Sequence, residues 1–395
     1  MTDVEFGLFD SDNHYYEALD AFTRHLEPGF AKRTMQWAEI GGRTRLLVGG
    51  RINRFIPNPT FDPVSKPGAL DEYFRGRNPV GSDAAGLFGE LEPIPAAYRD
   101  RDARLALMDS QQIDGALFLP TLGVGMEQAL LGDVPALLAA FRAFNRWIDE
   151  DWGFAYRDRI FGAAYMTLVD PVAAVRELEW ALSRDARFVL MVPGPIVVHG
   201  VGRSPADPLF DPFWARVNEA GVTVVYHGGD TRYSSYLADW GESGETEAFR
   251  YNAFRGLASA NPTQDTFASL LALGLFHRFP NLRLAAVETG SDWVFHLHEK
   301  LKKTFGQMPR AYPEDPQETF RRHVWVSPFY EDRLGDLREL LGADRLLMGS
   351  DFPHAEGLAD PITYSKDLRN FDFDDHDCRL VMRDNGRALA ARRPA

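Results

Sequence analysis

Cysteine is nearly absent from this chain, because Cys378 is the only one among 395 residues. A lone thiol cannot form an intrachain disulfide, and it cannot supply the thiolate cluster that holds many structural metal ions. Any metal ion bound by this chain must therefore be held by histidine and carboxylate side chains.

Basic charge and long apolar runs are also scarce. The formal net charge is -14, from 43 basic and 57 acidic side chains, and this charge opposes binding to nucleic acid or to anionic lipid. No segment reaches the roughly 18 apolar residues of a membrane-spanning helix, and residues 1–8 lack the pattern of a signal peptide. We therefore expect a cytoplasmic protein that binds neither nucleic acid nor membranes.

Three common enzyme signatures are missing. The chain has no Gly-Xaa-Ser-Xaa-Gly elbow, no phosphate-binding Gly-Lys-Ser/Thr loop and no His-Glu-Xaa-Xaa-His helix. What the chain does have is 45% hydrophobic residues, 12% aromatic residues and 25 prolines. This composition is typical of a globular protein with a large core and many fixed turns.

Short apolar runs alternate with amphipathic segments along the whole chain. The candidate strands are residues 5–12, 115–119, 160–166, 188–192, 222–226, 284–288, 323–327 and 346–350. The candidate helices are residues 97–110, 134–152, 171–183, 211–220, 266–278, 293–303 and 332–341. This alternation favours parallel strands joined by crossover helices. We predict one α/β domain over residues 1–395, a (β/α)₈ TIM barrel, with a doubly wound open sheet as the alternative.

A long insertion, residues 27–96, follows the first strand. Its middle is rich in proline and glycine, and a structureless segment of this length is usually functional. We interpret it as a lid or a dimer arm over the barrel mouth, and the alternative is a surface insertion without a role. Its aromatic side chains include Phe55, Phe61, Tyr73 and Phe74. Arg51 and Arg54 are its candidate contacts for an anionic substrate.

A second insertion, residues 228–262, follows the fifth strand. It carries Tyr233, Tyr236, Trp240 and Tyr251, which we expect to line the same barrel mouth. Both insertions are rich in aromatic residues, so we expect a partly apolar small-molecule substrate. The arm-like first insertion also leads us to expect a homodimer.

Histidine and carboxylate residues stand at the ends of four predicted strands, where the active sites of TIM barrels lie. Asp12 and His14 end strand one, and residues two apart on an extended chain point to the same side. His227 follows strand five, Glu288 ends strand six and Asp351 follows strand eight. Each of them alone is typical of a helix cap or a loop, but together they predict a shared metal site.

Two imidazoles and two carboxylates suit one divalent cation. The predicted ligands are Asp12, His14, His227 and Asp351. We favour zinc, with manganese or iron as alternatives.

Three motifs point to a known family. They are LLMGSDFPH at residues 346–354, FPNLR at 279–283 and WVSP at 325–328. They resemble the amidohydrolase superfamily, specifically the branch related to aminocarboxymuconate-semialdehyde decarboxylase and γ-resorcylate decarboxylase. The resemblance extends over nearly the whole chain.

The resemblance implies that His14, His227 and Asp351 are metal ligands. Asp12 occupies a ligand position where the family often has His or Glu, and Glu288 stands where the family frequently has a histidine. Two-metal relatives carry a modified lysine at the end of strand four. This chain has Val192 and Pro193 there, which indicates a mononuclear site.

The leading functional prediction is hydrolysis of an amide, ester, lactone or activated C–C bond in a small organic molecule by a metal-activated water. Asp351 acts as the general base, Glu288 as a second acid or base, and His354 orients Asp351 or donates to the substrate. The alternative is non-oxidative decarboxylation of an aromatic or unsaturated acid. A barrel that binds a ligand without turnover is the third hypothesis.

Overall fold

The computed structural model describes residues 4–78, 81–231, 233–242, 253–258 and 261–395. Parallel strands form a TIM barrel, as the alternation predicts. Within the described residues the regular barrel strands are β1 Leu8–His14, β2 Ile113–Leu119, β3 Ile160–Gly162, β4 Phe188–Met191, β5 Thr223–His227, β6 Arg283–Val287 and β7 Val324–Val326. The two residues Ala164–Tyr165 continue β3 and pair with β4.

The barrel strands pair in the order of the chain. β1 pairs with β2, β2 with β3, and β4 to β7 each with the next, all in parallel. Every residue of β5 and β6 is buried. The strands are apolar along their length because side chains inside the barrel cover one face and helices cover the other.

The eighth segment, residues 346–352, closes the barrel without forming a regular strand. Leu347 donates its N–H to the Val326 carbonyl oxygen, with an N to O distance of 2.9 Å. Ser11 donates its N–H to the Met348 carbonyl oxygen at 2.8 Å. Met348, however, donates its own N–H to Val381. The prediction of a regular strand over residues 346–350 is therefore wrong, because Leu347 bonds to β7 whereas the next residue, Met348, bonds to Val381.

Crossover helices connect successive strands. They are Arg101–Ser110, Val134–Asp151, Pro171–Ser183, Asp211–Ala220, Pro262–Ala272, Asp292–Gln307 and Leu334–Leu341. Asp170 caps one of them by accepting the N–H of Ala173. The predicted helix over residues 266–278 is wrong in extent, because Gly274 adopts a left-handed φ of 67° and separates Leu275–Arg278 from the helix before it.

Shorter elements complete the fold. The α-helices are Met126–Leu130, Pro316–His323, Tyr364–Asn370, Asp375–Arg379 and Asn385–Ala390, with a π-helical turn at Leu380–Asp384. The 3₁₀ turns are Ala96–Tyr98, Gly123–Gly125, Pro208–Phe210, Pro309–Ala311, Ala343–Arg345 and Pro361–Thr363. An antiparallel pair, Ile196–Val198 and Val201–Arg203, follows β4.

The first insertion has secondary structure of its own, so the expectation of a structureless segment is wrong. Its strands Met35–Ile40, Arg43–Val48 and Arg51–Ile52 form an antiparallel sheet. Its short helical turns are Pro28–Phe30, Asp71–Phe74 and Ala84–Leu87. Local antiparallel pairing satisfies much of the backbone of these three strands.

The described parts of the second insertion include the helices Ser234–Ala238 and Ala253–Leu257. Tyr251 lies outside the described residues. Among the residues that the structure describes, no helix is both long and apolar enough to cross a membrane.

A buried arginine holds the carboxyl end of β1 in place. Arg104 is fully buried and donates to Asn13 Oδ1 at 2.6 Å, to the His14 carbonyl at 2.8 Å and to the Ala97 carbonyl at 2.6 Å. Burial lowers its pKa to about 10, so the guanidinium remains charged at neutral pH. Asn13 and the His14 carbonyl belong to the segment that carries two predicted metal ligands.

We expect Arg104→Leu to lower the free energy of unfolding by about 3 kcal/mol, because it leaves two buried acceptors and one part-buried acceptor without their charged donor. Urea unfolding followed by fluorescence measures the change. The matched control is Arg101→Leu in the same helix, where the guanidinium donates to the Glu150 carbonyl in an exposed position. Equal stability of the two variants would contradict the role given to Arg104.

Candidate active site

The barrel brings the predicted site residues together. His14 Nε2 lies 3.1 Å from Asp12 Oδ1, 3.3 Å from Glu288 Oε2 and 3.4 Å from Asp351 Oδ1. His227 Nε2 lies 2.8 Å from Glu288 Oε2 and 3.7 Å from Asp12 Oδ1. The polar side chains at the ends of strands one, five, six and eight thus lie close to one another.

Local backbone geometry explains why these ends meet. Glu288 and Asp351 have φ values of 50° and 54°, in the left-handed region that few non-glycine residues occupy. Such strained positions are concentrated at functional sites. Gly228 lets the β5 and β6 loops approach each other, since a Cβ there would lie 2.5 Å from the Glu288 carbonyl oxygen.

The arrangement of the donor atoms suits a bound cation better than it suits hydrogen bonds between these side chains. One ligand atom from each of Asp12, His14, His227 and Glu288 lies within 4.8 Å of the others, and the same holds for His14, Glu288, Asp351 and His354. His227 Nε2, Glu288 Oε2 and Asp351 Oδ1 are buried and have no hydrogen-bond partner with acceptable geometry. A divalent cation would satisfy these convergent atoms.

The tautomer of His227 also fits metal binding. Its Nδ1 lies 2.6 Å from the Gly228 carbonyl oxygen, which can only accept a hydrogen bond. In the neutral ring the proton therefore sits on Nδ1, and Nε2, which faces the cluster, is free to bind a cation. A metal-binding histidine is commonly held in this way by a partner on its other ring nitrogen.

The charges of the cluster interact strongly. Burial works against a charged His227, but Glu288 and Asp12 outweigh it and raise its pKa to about 10, and His14 rises to about 8 in the same way. The two histidines in turn hold the pKa of Glu288 well below its usual range, although burial opposes this. Burial and the neighbouring Glu288 raise the pKa of Asp351 well above its usual value.

His354 pairs with Asp351, as the sequence predicts for an orienting residue. Its Nδ1 lies 2.6 Å from Asp351 Oδ1, and its Nε2 lies 2.9 Å from Thr121 Oγ1. Burial and the nearby His14 hold the pKa of His354 well below its usual range, so its ring is neutral. The pair is therefore a carboxyl group beside a neutral imidazole.

A cavity of about 230 Å³ opens onto the cluster. His14, His227, Glu288 and His354 lie at its base, and much of its wall is apolar. The first insertion supplies Phe55, Ile56, Phe61, Val64, Phe88 and Leu91. Glu356 also lines it, whereas no lysine or arginine is found among the described lining residues.

Several predicted lining residues lie elsewhere. Arg51 and Arg54 are exposed and do not line the cavity, so their interpretation as anion contacts is wrong. Tyr233 donates to Asp265, and Tyr236 and Trp240 are exposed. The expectation that these aromatic residues line the mouth is wrong for Tyr233, Tyr236 and Trp240, because none of the three is among the described residues that line the cavity.

The amidohydrolase family model matches residues 91–389. The chain belongs to the amidohydrolase family. The amidohydrolase map2389c from Mycobacterium avium subsp. paratuberculosis K-10 is 43% identical to it over 98% of each chain, with a TM-score of 0.92. The resemblance inferred from the three motifs is confirmed.

Two solved decarboxylases share the fold of this amidohydrolase. The 5-carboxyvanillate decarboxylase LigW from Sphingomonas paucimobilis is 18% identical, covers 99% of this chain and 100% of its own, and has a TM-score of 0.59. A dihydroxybenzoic acid decarboxylase from Polaromonas sp. JS666, with bound manganese and the inhibitor 2-nitroresorcinol, is 21% identical with a TM-score of 0.55, covering 82% of this chain and 93% of its own. At these identities the likeness shows the fold alone.

The sequence did not reveal every residue that this amidohydrolase places around the cluster. Thr121 contacts His354, and Glu17 holds the loop that carries Thr121. Their signal was weak: Thr121 is a polar residue just after β2, and Glu17 is one acid beside apolar neighbours, three residues after His14. Glu356 follows the LLMGSDFPH motif, but only the cavity shows its position.

Proposed function

We propose that this chain is a metal-dependent, non-oxidative decarboxylase of an aromatic or unsaturated carboxylic acid. One observation carries the proposal: a largely apolar cavity, without lysine or arginine among its described lining residues, leads to a histidine and carboxylate cluster suited to one cation. A substrate carboxylate in this cavity would therefore pair with the cation rather than with a lysine or arginine among the described lining residues. Apolar walls favour neutral CO₂ over the charged carboxylate that precedes it.

Asp12, His14, His227 and Asp351 are the proposed ligands. When bound, a divalent cation supplies the positive charge that pairs with the carboxylate and an adjacent oxygen of the substrate. The manganese in the Polaromonas decarboxylase supports manganese as the metal, and zinc and iron also suit this donor set. We retain Asp12 as a ligand because its Oδ1 lies close to both histidines.

The loss of CO₂ leaves an electron pair on carbon, which must take up a proton. The Asp351–His354 pair is the proposed source, since it lies beside the proposed metal site and His354 lines the cavity. The bond between the carboxyl group and the substrate carbon breaks, and a C–H bond forms in its place. The proton returns to the pair from solvent after the product leaves.

The first insertion is the proposed lid, because its aromatic side chains contribute to the cavity wall. Its closure would exclude water from the substrate carboxylate. The alternative role as a dimer arm, and with it a homodimer in the cytoplasm, remains an expectation from the sequence.

Hydrolysis is the second candidate function, and Glu288 favours it. The Glu288 side chain is 26% exposed, whereas the side chains of His14, His227 and Asp12 are at most 5% exposed. A carboxylate open to the cavity is well placed to accept a proton from an attacking water.

We expect the manganese-loaded protein to release CO₂ from at least one member of a panel of hydroxybenzoates and unsaturated dicarboxylates. Gas-phase detection of CO₂ measures the reaction, and the same protein is assayed with aryl esters, lactones and anilides. Release of acid or amine from those compounds, with no CO₂ from the acids, would favour the hydrolase. A protein that holds less than about one-tenth of an equivalent of metal, and shows neither activity after zinc or manganese is added, would instead support a ligand-binding barrel.

A further inference from the structure

Glu356 brings a carboxyl group to the wall of a largely apolar cavity. Its Oε2 atom is buried and has no hydrogen-bond partner among the described residues. Burial and the nearby Glu288 raise the pKa of Glu356 to about 8, whereas His14 lowers it, so the carboxyl group lies near the cluster at the cavity base. A buried oxygen without a partner is costly, and a group of a bound ligand can supply the missing hydrogen bond.

The other polar side chains of the cavity wall, away from the histidine and carboxylate cluster, are already engaged within the protein. Each donates a hydroxyl or amide proton to a backbone carbonyl oxygen at 2.8–3.2 Å, and they are Tyr16, Asn58, Ser65 and Thr121. Glu356 is therefore the side chain of the described wall that is best placed to bind a polar group of a ligand.

The backbone around Glu356 is held from two sides. The Tyr330 hydroxyl group donates to the Glu356 carbonyl oxygen at 3.0 Å. On the other side, the Leu70 N–H donates to the Ala355 carbonyl oxygen at 2.8 Å. Leu70 belongs to the first insertion, so the barrel and the insertion together fix the segment that carries this carboxyl group.

A hydroxyl group is the ligand group that suits this position. It can donate a hydrogen bond to a carboxylate and accept one from a protonated carboxyl group, so it fits Glu356 in either protonation state. A second carboxylate would find no lysine or arginine among the described lining residues to balance its charge. An apolar substituent would leave the Glu356 carboxyl group without a partner.

We propose that Glu356 is a specificity-determining residue that selects substrate acids carrying a hydroxyl group away from the reacting carboxylate. This inference rests on the proposed function, in which the substrate carboxylate binds at the cation. The substrate is then held at two points, by the cation at one end and by Glu356 at the hydroxyl group. An acid with a methyl group in the same place lacks the second contact.

The test compares two pairs of acids that differ in one group. They are 3-hydroxybenzoate with 3-methylbenzoate, and 4-hydroxybenzoate with 4-methylbenzoate. In neither position can the substituent reach the cation that binds the carboxylate, so the comparison does not depend on chelation. Isothermal titration calorimetry with zinc-loaded protein gives the Kd of each compound. An apolar wall by itself favours the methyl compound, because burying a hydroxyl group without a partner costs free energy.

We expect the native protein to bind the hydroxy compound of at least one pair about tenfold or more tighter than the methyl compound. Glu356→Leu removes the polar group, so it should reverse this preference and favour the methyl compound by about threefold or more. Glu356→Gln keeps a donor and an acceptor in the same place, so it should retain the native preference within about threefold. Circular dichroism shows whether each variant folds, and Glu356→Ala, with the same expectation, replaces Glu356→Leu if that variant does not.

Glu331→Leu is the matched control. Glu331 also has a buried Oε2 without a hydrogen-bond partner among the described residues, but it is not among those that line the cavity. The chemical change equals that in Glu356→Leu, and the native preference should persist. A reversed preference in this control would attribute the effect to the loss of any buried carboxyl group and overturn the proposal.

The two proposals fail in different ways. The same preference in native protein and in Glu356→Leu overturns the role of Glu356, even if CO₂ release confirms the decarboxylase. A failure of all four compounds to bind the zinc-loaded protein overturns it as well. A hydroxyl preference that Glu356→Leu removes, in a protein that releases no CO₂ from any acid, supports the role of Glu356 while the proposed function fails.

Discussion

Replacing Asp351 with asparagine is expected to lower kcat by about three orders of magnitude or more while the fold persists. The amide cannot take up and release a proton as the carboxyl group beside His354 Nδ1 can, with Asp351 Oδ1 at 2.6 Å, and it is a weaker ligand for a cation. Asparagine tolerates the left-handed φ of 54° at this position, and the backbone bond from residue 351 to the Asp12 carbonyl is unaffected. Steady-state kinetics measure kcat, and circular dichroism shows whether the fold persists.

Asp360→Asn is the matched control for Asp351→Asn. Asp360 is exposed in the same loop region and is not among the residues that line the cavity. The chemical change is identical, so only position differs. Metal analysis of Asp351→Asn separates the loss of a ligand from the loss of a proton donor, and native turnover in this variant would refute the assignment of Asp351.

Removal of the metal should have the second large effect. We expect a chelator to lower activity by about 100-fold or more, and added manganese or zinc to restore it. The melting temperature should also fall, because a ligand at 100 to 1,000 times its Kd stabilises the folded state by about 3–4 kcal/mol. Without the cation, the carboxylates of Asp12, Glu288 and Asp351 remain close to His14 with no positive metal charge between them.

Two histidine variants test whether the chelator acts at this site. His227→Gln removes a proposed ligand, so its activity should be low and its melting temperature should no longer respond to the chelator. His25→Gln changes an exposed histidine that pairs with Glu150, and it should respond as the native protein does. Full activity in native protein stripped of metal would overturn the metal-dependent mechanism.

Most of the fold could be predicted because its signals are local. The helices Pro171–Ser183 and Asp211–Ala220 have the predicted bounds, since apolar spacing, a capping aspartate or a proline marks their ends. The helix over residues 266–278 was less predictable, because a glycine inside an apolar run gives no sign of whether it ends the helix. The pairing of Met348 with Val381 involves distant residues and leaves no local pattern.

The site was partly predictable for a related reason. A polar residue that interrupts or ends an apolar strand stands out in the sequence, and this signal found Asp12, His14, His227, Glu288 and Asp351. Residues that act by holding others carry no such mark. Thr121 and Glu17 resemble ordinary loop residues until the packed loops bring them to His354.

The sequence by itself determined the barrel, the absence of thiolate ligands and the set of histidines and carboxylates available for a cation. It could do so because hydrophobic periodicity and residue chemistry are properties of short segments. Only the tertiary structure decided that ligand atoms from strands one, five and six lie within 4.8 Å of one another, as do those from strands one, six and eight. It also decided that the first insertion lines the cavity and that Thr121 contacts His354. Those relations depend on distances between residues far apart in the chain, which strand pairing and loop packing fix.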